Sequence, residues 1–195
     1  DYVENMIITS THNTILFFTN KGLVYQLKGY EIPESGRTAK GTAIVNLLPL
    51  AKEETITAII PIKEFSKDRY LFMATRHGIV KKTGLSEFDT NRKKTGLIAL
   101  SLKENDELIG VKLTDGNRRI IIGTRDGMSI CFNEQDVRPM GRTARGVIGI
   151  KLKGEDTVIG MDNIRDDCEV LTVTEHGFGK RTATSEYRTQ TRGGI

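Results

Sequence analysis

A period of about 50 residues runs through the chain and limits what it can fold into, because units of that size bury their apolar faces only by stacking on copies of themselves. Three anchors carry the period in constant order. The first is Thr-x-x-Gly between two apolar runs: Thr19-Asn20-Lys21-Gly22, Thr75-Arg76-His77-Gly78, Thr124-Arg125-Asp126-Gly127 and Thr174-Glu175-His176-Gly177, with glycines 56, 49 and 50 apart. The second is basic and ends in glycine: Gly36-Arg37-Thr38-Ala39-Lys40-Gly41, Asn91-Arg92-Lys93-Lys94-Thr95-Gly96 and Gly141-Arg142-Thr143-Ala144-Arg145-Gly146. Thr191-Arg192-Gly193-Gly194-Ile195 stands in the fourth register, and the arginines fall 55, 50 and 50 apart. The third anchor relates residues 102–110 to residues 152–160, offset by 50.

Strand signals define each unit. Short β-branched and aromatic runs, Thr14–Phe18, Tyr70–Met73, Ile120–Ile122 and Val170–Val173, each enter a Thr-x-x-Gly turn, and the chain leaves as a second strand, such as Leu23–Leu27. Gly22, Gly78, Gly127 and Gly177 are expected to take the left-handed conformation that closes such a hairpin. After the basic loop a further strand is expected, such as Val147–Leu152, then an acidic turn and an apolar run such as Val158–Met161. About four strands per unit and no sustained helical period predict an all-β, propeller-like ring of four-stranded blades. The units divide at about residues 5–56, 57–109, 110–159 and 160–195. The chain has no Trp, so it lacks the Trp-Asp signature of the commonest propeller repeat. The fourth unit stops at Ile195, which predicts a piece of a longer protein.

Composition excludes other classes. With 37% hydrophobic and 28% charged residues the chain is globular, and no apolar run approaches the roughly 18 residues of a membrane span. The acidic start, Asp1 to Asn5, does not resemble a signal peptide, so no membrane partner and a cytoplasmic location are expected. Cys131 and Cys168 lie 37 residues apart without metal-ligand spacing and are expected to be buried, reduced packing residues. Tyr25, Tyr30 and Tyr70 read as sheet and loop packing, and His12, His77 and His176 as turn residues. Gly36–Gly41 and Gly141–Gly146 have the glycine spacing of a phosphate loop, but Thr42 and Val147 occupy the position of the lysine. No nucleophile-base pair or carboxylate pair is interpretable, so no active site, metal or cofactor is expected in this chain.

The net charge is only +4, yet its distribution is uneven. The basic windows contain Arg37, Lys40, Arg92, Lys93, Lys94, Arg142, Arg145 and Arg192 and no acid, which leaves 21 basic against 25 acidic residues elsewhere. Equivalent loops of a ring occupy equivalent positions, so these cations are expected to form a stripe along one circumference. Arginine and lysine among Gly, Ala and Thr suit phosphates, which backbone N–H groups approach closely and side chains neutralise. Duplex DNA is the expected partner. Two bland alternatives stay open: solvated connections, or arginines kept to stack on the next blade.

The stretches Phe17–Gly22, Lys28–Pro33 and Gly36–Gly41 resemble the C-terminal domain of the A subunit of bacterial DNA gyrase, and the resemblance covers essentially the whole chain. It implies a six-bladed β-pinwheel whose blades exchange strands, of which about four are present, with DNA wrapped around a basic outer edge. The family's heptapeptide, Gln-Arg-Arg-Gly-Gly-Lys-Gly, has its nearest match at Gln190–Ile195, which implies that the true box lies upstream of Asp1. The resemblance further implies holoenzyme partners, a gyrase B subunit plus a second A subunit. It also implies ATP and Mg in the holoenzyme, and a mechanical role in which wrapping presents a segment for strand passage so that negative supercoils form. Two rivals remain: the corresponding domain of the topoisomerase IV A subunit, and a propeller scaffold for protein contacts.

Overall fold

The computed structural model describes residues 2–90 and 95–194. Its secondary structure is strands joined by turns and five short 3-10 turns, and no helix among the described residues is long and apolar enough to cross a membrane. Each Thr-x-x-Gly motif closes a hairpin: β1 (Thr14–Thr19) with β2 (Leu23–Lys28), β4 (Tyr70–Thr75) with β5 (Ile79–Gly84), β8 (Arg119–Thr124) with β9 (Ser129–Asn133), and β12 (Glu169–Val173) with β13 (Gly179–Ala183). The four glycines have φ of +73°, +81°, +86° and +82°, and each amide donates to the carbonyl of the motif's threonine at 2.9–3.1 Å. The threonine has its own reason to be there. The hydroxyls of Thr75, Thr124 and Thr174 accept the N–H four residues on, at 3.2, 3.1 and 3.2 Å, clamping the turn a second time. Thr19 is the exception; its hydroxyl is buried without a partner.

A third strand pairs with the first strand of each of the first three hairpins: β3 (Ile56–Ile62) with β1, β7 (Leu108–Thr114) with β4, and β11 (Val158–Ile164) with β8. The fourth strand comes from the next repeat. Leu97–Ile98 (β6) pairs with β2, and Val147–Ile148 (β10) pairs with β5, giving sheet orders β3-β1-β2-β6 and β10-β5-β4-β7. The third sheet is β11-β8-β9 and the fourth β12-β13. The expected strand over Val147–Leu152 is therefore shorter than its sequence pattern and belongs to the preceding blade. Its pairing ends at Ile148 because Gly149 and Ile150 both donate to the carbonyl of Gly78, at 2.8 and 3.3 Å, which bends the chain away from the sheet. Ala99 and Leu100 do the same at Gly22, at 2.8 and 3.2 Å.

Because strand side chains alternate between faces, each hairpin splits its apolar residues between its two faces. Leu16, Phe18 and Val24 face Leu71, Met73, Leu85 and Phe88 of the next blade. Phe72, Ala74 and Val80, on the opposite face of that blade, meet Ile120, Ile122, Ile130 and Phe132 of the third. Ile121 and Cys131 turn towards Val170 and Tyr187 of the fourth. Ring pairs cross the first two interfaces: Phe18 meets Phe88 edge-on at 6.1 Å, and Phe72 meets Phe132 tilted at 6.2 Å. Truncating such a ring to Ala costs about 3–5 kcal/mol, so these interfaces dominate stability. The outer face of the fourth sheet, with Leu171, Val173 and Phe178, is exposed. Two residues differ from expectation there and at the other end: Cys168, at the turn into that uncovered sheet, is exposed rather than buried, and Tyr30 is 63% exposed, its ring edge-on to His12.

Two lysines lie inside. Lys82 donates to the carbonyl of Glu134 at 2.9 Å and sits 5.2 Å from the Tyr70 ring. Lys81 is fully buried, its ammonium among the carbonyls of Ala99, Gly141, Arg142 and Ala144. Burial, aided by the Arg142 charge and opposed by Glu87, lowers its pKa to about 8.

Two outcomes follow from these junctions. A Cβ on Gly78 would meet the Ile150 carbonyl at 2.7 Å, whereas one on Gly177 would meet nothing within 4 Å, both at positive φ. Gly177→Ala should cost about 1–2 kcal/mol from the left-handed backbone alone, and Gly78→Ala clearly more, as read by denaturant unfolding of the two variants. For Lys81, the unfolded chain retains a proton that the folded chain releases once pH exceeds about 8. This group therefore raises stability as pH climbs from about 8 towards 10. Thermal midpoints across that window should rise more steeply for the parent chain than for Lys81→Met.

Candidate nucleic-acid interface

The basic window at 141–146 is a surface loop that precedes the exchanged strand β10, so strand exchange decides where it sits. In the loop at 141–146 the Ala144 amide closes a turn on the Gly141 carbonyl at 3.2 Å, and Gly146 has φ +91°. A Cβ there would lie 2.4 Å from the Val80 carbonyl, so glycine is needed for close approach to β5. The loop rests on the chain leaving the previous basic loop. Ser101 donates from its amide to the Ala144 carbonyl at 3.3 Å and from its hydroxyl to the Thr143 carbonyl at 2.7 Å. The Arg142 guanidinium reaches the Ile98 carbonyl at 3.5 Å.

The next loop repeats the arrangement 50 residues on. The Gly193 amide donates to the Gly149 carbonyl at 2.7 Å, and the Arg192 guanidinium donates to the carbonyls of Ile148 and Asp136, each at 3.0 Å. Ile98 and Ile148 hold equivalent positions, as do Arg142 and Arg192. The loops at 141–146 and 191–194 are thus each laid on the chain leaving the loop before, and form a short row.

The predicted site residues divide by environment. Arg145 is exposed beside a cleft of about 240 Å³ that Lys103, Asp106 and Ile148 also line. Arg142 and Arg192 are half-buried and tie neighbouring repeats together, the role left open as the alternative to phosphate contact. Arg37 and Lys40 are exposed on a loop whose residues from Pro33 to Ala43 are all exposed, with a single turn bond from the Ala39 amide to the Gly36 carbonyl. This first loop stands apart from the row, because the row is built by docking on a preceding repeat. Arg92, Lys93 and Lys94 lie outside the described residues.

Lys81 is not among the residues that the sequence singles out, although its ammonium touches three residues of the loop at 141–146. The signal that could have found it is the Lys81-Lys82 pair in a strand that otherwise continues an apolar core. Tyr25 holds the equivalent place in the first blade: a Cβ on Gly96, the last residue of the second basic window, would lie 2.8 Å from its ring. Tyr25 is in turn held by the Glu54 carboxylate, which accepts from its hydroxyl at 3.2 Å. Burial, then the Glu54 charge, raises the Tyr25 pKa.

The family described as DNA gyrase C-terminal domain, beta-propeller, matches residues 13–63, 69–115, 118–165 and 169–195, one segment per hairpin. The DNA gyrase A subunit of Staphylococcus epidermidis is 51% identical over 197 residues, covering 100% of this chain and 22% of that protein. The chain thus spans about a fifth of the length of the curated relatives it matches. Among solved structures, the C-terminal domain of DNA topoisomerase IV superposes with a TM-score of 0.87 at 32% identity, covering 94% of this chain and 57% of that one. The DNA gyrase A C-terminal domain superposes at 0.78 with 28% identity, covering 95% and 59%. Repeats in register and blades that exchange strands agree with these matches: the chain belongs to the DNA gyrase C-terminal domain family, as a β-pinwheel of the gyrase A type.

Proposed function

We propose that the chain binds duplex DNA without sequence preference along its row of basic loops, and that within a gyrase A subunit it bends and wraps the duplex so that the holoenzyme introduces negative supercoils. Catalysis, ATP and Mg belong to the rest of that holoenzyme, whose other members in the cytoplasm are a gyrase B subunit plus a second A subunit. The observation that supports this reading is the docking of the basic loops at 141–146 and 191–194, each on the exit of the one before. Bending a site of 20–30 base pairs costs on the order of 1–6 kcal/mol. A row of separate phosphate contacts spreads the compensating attraction along the bend, which one cluster could not do.

The superposition on the C-terminal domain of DNA topoisomerase IV keeps that enzyme as a second reading, whereas the 51% identity to a gyrase A subunit over the whole chain favours gyrase. An assay of linking number on relaxed circles tests the wrapping, since wrapping of fixed hand shifts the topoisomer distribution and simple binding does not.

Duplex affinity should fall with salt at a log–log slope near −0.9 for each phosphate neutralised. Absence of binding at low salt would overturn the reading and favour a protein-contact scaffold. Arg145→Ala should lower that slope by about one with the thermal midpoint unchanged. Arg192→Ala should also lose about 0.5–1.5 kcal/mol of stability, because it removes two inter-repeat hydrogen bonds to carbonyls that water can reach. Fluorescence anisotropy titrations at several salt concentrations, alongside thermal melts, check both variants.

A further inference from the structure

The ammonium of Lys81 is enclosed by main-chain carbonyls: Ala99 at 2.7 Å, Gly141 at 2.9 Å, Ala144 at 3.3 Å, and Arg142. A buried ammonium is tolerated only when its protons are accepted in this way. Three of the four acceptors belong to the basic loop at 141–146, so the lysine does more than fill space between blades.

Peptide geometry extends the consequence to the other side of the loop. In a trans peptide the C=O and the following N–H point in opposite directions. Drawing the carbonyls of Gly141, Arg142 and Ala144 onto Lys81 therefore turns the amides of Arg142, Thr143 and Arg145 away from it, towards the solvent side. The Thr143 carbonyl is also held back, by the Ser101 hydroxyl. The intervening Ala144 amide is used within the turn. The amides of Arg142, Thr143 and Arg145 donate to no other described residue. Gly141 has no heavy atom within 4 Å of where its Cβ would be, leaving open space beside the backbone. Convergent outward amides on a turn form a concavity that receives anions, and here the Arg145 side chain stands beside them.

We propose that Lys81 is a positioning residue for DNA backbone recognition: by gathering the carbonyls of the 141–146 loop it presents the amides of Arg142, Thr143 and Arg145 to one phosphate of the duplex. The inference rests on the duplex-binding reading and adds a main-chain phosphate site to it. The device belongs to this loop. The equivalent residues are Tyr25 in the first blade and Ile130 in the third, and neither carries an ammonium.

The test uses the 195-residue chain with a fluorescently labelled linear duplex of mixed sequence. Lys81→Met should lower affinity on the order of tenfold, the loss of about one charge-assisted contact, while the salt slope stays near that of the parent chain. Neutral amides release no counterions, so loss of their alignment weakens binding without removing a slope increment; Arg145→Ala instead lowers the slope by about one. A second measurement needs no variant: on adding duplex to the parent chain, the amides of Arg142, Thr143 and Arg145 should shift in proton–nitrogen NMR spectra and gain protection from hydrogen exchange. If the parent binds duplex but these amides do not respond, or if folded Lys81→Met binds as tightly as the parent, the positioning role is overturned while the duplex-binding reading stands. If the parent fails to bind at low salt, that reading itself fails.

Discussion

The carbonyls of Gly22 and Gly78 each accept two amides from the repeat that follows, and the rest of the architecture depends on these junctions. Each one finishes a hairpin with a residue that accepts positive φ and ends the exchanged strand after two residues. It also turns the departing chain inward, so that Leu100 or Ile150 enters the interface between blades. Exchange makes each of the first two sheets a joint product of two repeats. A blade therefore cannot be removed from the stack without unpairing a strand of its neighbour, which couples repeats more tightly than apolar stacking alone.

The same junctions organise the polar surface. The residues just before each exchanged strand are the basic loops, so a connection that completes the previous blade also lays its loop on that blade's edge. Arg142 and Arg192 take part in this joint through carbonyls of the preceding loop's exit, whereas Arg145 stays in solvent. The register arginines are thus not equivalent to the other cations of their loops. Part of their hydrogen-bonding capacity is directed inward, at Ile98 and Ile148, and the proposed phosphate contacts fall more heavily on exposed members such as Arg145, Arg37 and Lys40.

Lys81 connects the two levels. It lies on a core strand, fully buried, and its charge is directed at carbonyls that belong to the basic loop and to the chain beside it. Its neighbour Lys82 points to the opposite face and caps the carbonyl of Glu134 in the next repeat. A Lys-Lys pair in a strand usually marks a solvated edge, but here alternation sends one ammonium to each blade interface. Both find main-chain acceptors there, because loops and 3-10 turns leave carbonyls that no ladder uses.

The period, the four hairpins and their glycines, the strand type of each run and the concentration of positive charge in the loops were all legible in the amino-acid sequence. Each depends on neighbours within a few residues: alternation for strands, Thr-x-x-Gly for a turn clamped by both backbone and hydroxyl. Partnership was not legible. Val147 to Leu152 has the pattern of one full strand, yet two residues of it pair, and they pair with β5 of the previous repeat. Cys168 and Tyr30 have the composition of packed residues, but the surfaces that would cover them are not supplied by adjacent elements. The role of Lys81 likewise emerges only when loops 18 and about 60 residues away converge on one nitrogen. Local sequence determines turns, strands and charge because their energies are local, whereas exchange, burial of charge and the docking of one loop on another are decided by contacts between repeats.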